Sequence, residues 1–359
     1  MRKTFASLSL LLLAQGVSAF TPESGFYWNP AQGGRGFSIE IQDNYLFLAG
    51  YVYATDGTPI WYTAQGNLTV TSQQDRKATY TGVLDRFVNG QCITCNYRAP
   101  TAQLGSGGNF RIDFSSETRA TITWAGGSLP IQRFDYALTP PGGKAYTDTM
   151  LGQWQTLVDF AGTATTGNTE NQMYAEILNF NSRSSDSSED YFDGCSVYNS
   201  QQRGCTANDL AIFDASGFHF TVNEAGVVKD TLLIVVPYST SQFIVYFVDY
   251  GTNSFSGVAK LCNRSIPTSQ LYSRCLQVAG GFFRARGFRT HSRSYQAGND
   301  AAPSALAPTP KLVTRMLPQR AHMTDAGLSA EAVLVETGID VRQVPPLAFE
   351  RLVERIAAD

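Results

Sequence analysis

The chain has 359 residues, 43% hydrophobic and 16% charged, a composition of folded domains and not of a disordered or coiled-coil chain. Its formal charge is −3. Lys+Arg total 27 against 30 acids, and setting aside the first nineteen residues, which carry Arg2 and Lys3, leaves 25 against 30, without the basic excess of a general nucleic-acid binder. Three scattered histidines, His219, His291 and His322, argue against a His-rich metal centre.

Residues 1–19 read as a cleaved secretory signal. Arg2 and Lys3 precede the apolar run Leu8 to Leu13, and Val17-Ser18-Ala19 is a small-residue cleavage site. The run is too short to span a bilayer, and no later stretch reaches about 18 apolar residues. A secreted or periplasmic location without a transmembrane helix is the expectation.

Residues 20–140 read as one unit of consecutive short strands. Phe37, Ile39 and Ile41 alternate with Ser38, Glu40 and Gln42, the period of a half-buried strand. Asp43-Asn44 suits a tight turn, Tyr45 to Ala54 is the next strand, and Asp56-Gly57 is a strong hairpin signal before Ile60 to Val70. Further strands are expected at 78–84, around Tyr97, and at 110–114, 120–124 and 131–138. Such a meander closes into a barrel or stacks as a sandwich. Thr139-Pro140-Pro141-Gly142-Gly143 marks a boundary.

Residues 141–295 form a second strand-rich unit, with strands expected at 154–160, 173–180, 210–213, 218–223, 232–236, 243–250 and 282–290. The acidic run Ser184 to Gly194 reads as a solvated loop. Residues 296–311 read as a Pro/Ala linker and 312–359 as a helical tail. There Ser329 caps a helix ending near Gly338, and Pro345-Pro346 starts a last helix with Phe349, Leu352, Val353 and Ile356 on one face. The predicted class is therefore all-β, two tandem antiparallel meander units with a short helical tail. The tail's stripe docks either on its own chain or on another protein.

Six cysteines agree with export: Cys92, Cys95, Cys195, Cys205, Cys262 and Cys275. They fall as three local pairs, so nearest-neighbour bridges are the simplest expectation among fifteen connectivities. Cys92-Ile-Thr-Cys95 has redox-motif spacing but sits between strand-like segments, which favours a structural bridge.

One string is specific: Gly25-Phe-Tyr-Trp28-Asn-Pro30, Gly34-Arg35-Gly36-Phe37-Ser-Ile-Glu40, Tyr51-Val-Tyr53, Gly57-Thr-Pro-Ile-Trp61-Tyr62, then Thr121-Ile-Thr-Trp124 and Ile131-Gln-Arg133-Phe134. It resembles a β-domain family of exported proteobacterial proteins. The resemblance covers about 24–138, and the second unit more loosely. It implies an exported β-domain and no particular reaction. Read physically, Trp28, Tyr51, Tyr53, Trp61, Tyr62 and Trp124 line a barrel mouth or interior, with Arg35, Glu40 and Arg133 as a buried ion-pair network. The other reading is a packed barrel in which the rings are core.

Chemistry is sparse. There is no Gly-x-Ser-x-Gly elbow, no His-Glu-x-x-His and no phosphate loop, so no catalytic residue, metal or cofactor is assigned. Residues 159–214 carry nine acids and two bases, while 251–299 carry seven bases and no acid. Arg284, Arg286, Arg289 and Arg293 face either the acidic segment of their own unit or an anionic surface. The leading expectation is a non-catalytic binding protein for an apolar small molecule, lipid or glycan. The alternatives are an exported hydrolase of glycan or ester bonds and an envelope protein–protein interaction module.

Overall fold

The computed structural model describes residues 22–70, 78–136, 138, 145–160, 173–185, 189–196, 215–224, 227–278, 280–292 and 327–357. The expected signal segment 1–19, the expected linker 296–311, the strand expected at 210–213, and Cys205 and Arg293 lie outside these residues. Within them the chain is all-β with a few short helices.

The first sheet has eleven antiparallel strands. They are β1 (Gly25–Trp28), β2 (Gly36–Gln42), β3 (Tyr45–Tyr53), β4 (Pro59–Asn67), β5 (Thr69–Val70), β6 (Ala78–Val83), β7 (Asp85–Val88), β8 (Thr101–Gln103), β9 (Asn109–Phe114), β10 (Arg119–Trp124) and β11 (Gly127–Arg133). Their order is β5-β6-β9-β10-β11-β1-β2-β3-β4-β7-β8. β6 pairs with β9 while β7, one residue further on, pairs with β4, so the sheet curls until residues 78–88 join its two ends. The Tyr80 hydroxyl donates to the Gln65 carbonyl across that seam at 3.1 Å.

Local chemistry sets the hairpins. Asp43 adopts φ 57° between β2 and β3. Gly57 takes φ 84° between β3 and β4, where Asp56 Oδ1 accepts from the Thr58 N–H at 2.9 Å. The strand expected around Tyr97 does not form. Asn89 turns out of β7 with φ 62°, the Cys92–Cys95 disulfide closes a loop, and Pro100 withholds a donor, so pairing resumes only at Thr101.

The second unit is a closed barrel of β12 (Gly152–Asp159), β13 (Met173–Ser185), β14 (Asp190–Ser196), β15 (Ala215–Glu224), β16 (Val227–Pro237), β17 (Gln242–Tyr250), β18 (Ser254–Asn263) and β19 (Phe282–Ser292), with β12 paired to β19. Two strands differ from the sequence reading. The C-terminal half of the acidic run is β14, not a solvated loop. Asp193 there is 0% exposed, because Ser184 donates to it at 2.7 Å and Arg355 pairs with it at 2.6 Å. β18 carries Ser, Gly and Lys among its apolar residues, which masked its alternation.

The barrel is apolar on both faces. Trp154, Leu178, Phe180, Phe192, Ile234, Tyr246, Phe255 and Phe283 fill its interior. Phe218, Phe220, Leu233, Val235, Phe247 and Val258 form an outer layer. That layer is covered by α3 (Ala330–Thr337) and α4 (Pro346–Ala357), whose Phe349, Leu352, Val353 and Ile356 are buried against it. The stripe therefore docks on its own chain. Ser329 caps α3 by accepting from the Ala332 N–H, and Gly338 closes it in the left-handed region. Short helices α1 (Ala145–Met150) and α2 (Thr268–Leu271) complete the unit. Cys262–Cys275 forms a buried bridge beside α2. Among the described residues, no helix is long and apolar enough to cross a membrane.

Candidate functional site

The interior of the first shell holds Tyr27, Phe37, Ile39, Leu46, Leu48, Phe110, Ile112, Phe114, Ile122 and Ile131 as one packed core. Strand alternation then forces the opposite residues outward. Trp28, Tyr51, Tyr53 and Trp61, expected at a mouth or interior, stand on the outer face. Tyr51 and Trp61 are each 51% exposed and Tyr53 60%. Tyr51 lies directly opposite Trp61 on one side and Gly36 on the other, and Gly36 lies opposite Trp28.

Gly36 explains the Gly-Arg-Gly-Phe string. A Cβ there would collide with the Phe26 ring, which lies over the glycine and meets Tyr51 at 6.4 Å. From Phe26 the ring contacts continue to Phe134 at 6.2 Å, with Trp28 against Phe134 at 4.7 Å and Tyr136 beyond at 5.6 Å. A band of aromatic faces thus crosses β11, β1, β2 and β3 and reaches Trp61 on β4. Sequence reasoning missed Phe26, Phe134 and Tyr136. The signal for Phe26 and Phe134 was present in the same string, where Phe26 alternates with the buried Tyr27, while Tyr136 lies just beyond it.

The remaining expected residues divide. Tyr62 and Trp124 share the inward parity of Ala64 and Ile122 and sit half-buried at the ends of the core. Arg35 lies over the Trp124 ring at 5.9 Å and donates to Gln32. Glu40 is exposed on the outer face, opposite Phe47. The expected Arg35–Glu40–Arg133 network is not formed. Arg133 instead turns inward to Glu23 at 3.3 Å and Asp135 at 3.5 Å.

Those acids belong to a polar junction between the two units. Glu117, 5% exposed, accepts from Ser256 at 2.8 Å and Ser254 at 3.3 Å. Burial, with Asp249 and Glu23 nearby, pushes its carboxyl up to about 8. Glu23 accepts from the Asn253 N–H at 2.9 Å. Asp135 accepts from Thr252 and Tyr250, and burial raises it as well. Arg119 crosses to Asp230 and the Tyr146 hydroxyl. Asp230 is held by His219 Nε2 at 2.9 Å, and its carboxyl is lowered because the His219 hydrogen bond and Arg119 outweigh burial.

A hydrolase of glycan or ester bonds needs a cleft with paired acids or a serine on a histidine. Glu23 and Glu117 do approach the same backbone position, Gly251, but Glu117 is buried and Glu23 half-buried between the units, and both are hydrogen-bonded to β18 or the turn before it. The Nε2 of His219 is bonded to a carboxylate, and Tyr146 stacks on the ring at 3.8 Å.

Nor do the arginines form one anionic-ligand face. Arg289 is committed inward, donating to the carbonyls of Thr149, Leu151 and Thr252 over the Trp154 ring, and burial lowers it to about 10. Arg284 is exposed but in register with Asp159, the first acid of the acidic segment. Among the described residues, no group of three or more His, Cys, Asp or Glu is placed to hold a metal ion.

Cys92–Cys95 and Cys262–Cys275 are bridged as expected; Cys195 is disulfide-bonded, and Cys205 lies outside the described residues. No protein-family model, no curated protein and no solved structure matches the chain.

Proposed function

We propose that this is an exported, non-catalytic glycan-binding protein that holds sugar rings on the outer aromatic face of its first sheet. The carrying observation is the band of rings on that face, in which Phe26, Tyr51, Tyr53 and Trp61 are exposed and Trp28 and Phe134 are half-buried among them. A soluble surface seldom displays so many rings together unless it meets a partner. A pyranose ring has a C–H face that packs on an aromatic face and a hydroxyl rim that needs hydrogen bonds. Here the polar rim is Arg35, Ser38, Glu40, Thr63 and Gln65, on or beside the same face.

Neighbouring strands lie about 4.8 Å apart and alternate residues about 7 Å apart along a strand. That spacing presents rings at intervals suited to successive sugars. A lipid or small apolar ligand fits less well, because it needs enclosure and both shells are filled by their own side chains. The signal-like N-terminus and the disulfides support an exported setting, where envelope and environmental polysaccharides are the abundant ring-bearing polymers.

The test is retention of the full chain on insoluble peptidoglycan, chitin and cellulose, with tryptophan fluorescence titration against soluble oligomers of each. Binding to one of them, weakened tenfold or more by Trp61→Ala and by Tyr51→Ala with melting temperature unchanged, is the expected result. Retention on none of the three, or variants that bind as well as the parent, would refute the proposal.

A further inference from the structure

The Cys92–Cys95 bridge is placed unlike the other mapped one. Cys262 and Cys275 are 1% and 4% exposed within the apolar layer under the tail helices. Cys92 and Cys95 lie in a run, Gln91 to Gln103, in which every residue is exposed. Ile93, between the two sulfurs, is 105% exposed, with Tyr97 and Leu104 also open to solvent. Gln91, Cys92, Ile93, Cys95 and Tyr97 line a shallow depression of about 380 Å³. Among the described residues, none of this loop belongs to a packed core, so opening the bridge leaves both shells packed.

We propose that Cys92–Cys95 is a thiol–disulfide exchange site that accepts electrons from a dithiol on an extended protein segment. An exposed disulfide is open to in-line attack and is of the labile kind, whereas a buried one resists exchange. The occupant follows from the chemistry of the floor: a thiolate is the protein nucleophile that cleaves a disulfide, and the exposed Ile93 and Tyr97 give that segment an apolar seat.

In the first step the partner thiolate attacks one sulfur. The Cys92–Cys95 bond breaks, a mixed disulfide forms, and the other cysteine leaves as a thiolate. The partner's second thiolate then displaces the remaining cysteine. The partner ends as a disulfide, two electrons and two protons lighter, and Cys92 and Cys95 end as thiols. The Thr94 hydroxyl lies 3.7 Å from Cys92 Sγ, placed to stabilise a thiolate there. Arg98, which donates to the Gly90 carbonyl at 3.0 Å, brings a cation to the base of the loop.

The experiment mixes the oxidised full chain with a reduced synthetic peptide bearing a Cys-x-x-Cys pair at pH 7. The mixture is quenched by alkylation, and labelled cysteines are mapped by mass spectrometry. The expected result is peptide oxidation at least tenfold faster than by glutathione disulfide at equal concentration. Label should appear on Cys92 and Cys95 and not on Cys262 or Cys275. The Cys92→Ser/Cys95→Ser double variant should keep the parent melting temperature and lose the activity. A rate no faster than that of glutathione disulfide overturns the proposal. So does labelling of Cys92 and Cys95 only under conditions that also label Cys262 and Cys275.

Discussion

Glu117 carries an acid–base signature that a single substitution isolates. Its carboxyl ionises near the ordinary 4.5 when the chain is unfolded and near about 8 when it is packed against β18. Between those values the folded state holds a proton that the unfolded state has released. Stability therefore falls with rising pH, by about 1.4 kcal/mol per unit for this group, and levels off above pH 8.

Glu117→Gln keeps the shape, accepts from Ser256 as before and cannot ionise. Near pH 5 the variant should match the parent. By pH 7 it should be more stable by about 3 kcal/mol, and by pH 9 by about 3–5 kcal/mol. Urea unfolding from pH 5 to 9, followed by tryptophan fluorescence, gives the difference. Asp135, raised by burial, has the same sign but is present in both proteins and cancels. Asp230, which is lowered, contributes stability that is present above its unfolded value and lost as pH falls further, outside this range. A difference that stays flat across the window would refute the assignment of Glu117 as a buried, proton-holding contact.

Other substitutions probe the remaining parts. Gly36→Ala forces the Phe26 ring off β2, so a loss of about 1–3 kcal/mol and a changed near-UV circular dichroism spectrum are expected. Leu352→Ala opens a hole between α4 and the barrel, lowering stability by about 2–5 kcal/mol in denaturant unfolding and speeding amide exchange in 330–357. Arg355→Ala removes the cation from the fully buried Asp193 and should destabilise by about 3–5 kcal/mol, measured by urea unfolding.

Local signals were readable without coordinates. The hairpins at Asp43 and Gly57 and the caps at Ser329 and Gly338 each depend on side chains within a few positions of the backbone they serve. The face of β3 was not readable. Tyr45, Phe47, Tyr51 and Tyr53 alternate with Leu46, Leu48 and Val52, both sets are apolar, and only the volume available inside the shell decides which set enters.

Long-range charge pairing was equally hidden. Asp193 looked solvated because its partner Arg355 is 162 positions away. Arg133 was assigned to Glu40 because its real partners, Glu23 and Asp135, carry no motif. Glu117 gave no sign at all, since a lone acid after a serine pair reads as a turn.

The barrel of the second unit is greasy inside and out along β15 to β18, and its outer coat is supplied by α3 and α4, which are translated after all eight staves. Until those helices land, a band of Phe, Val and Leu stands bare to any neighbouring chain. A chain caught before α3 and α4 dock therefore presents its stickiest surface with the staves already in place, and the docking of α4 is the step that hides it.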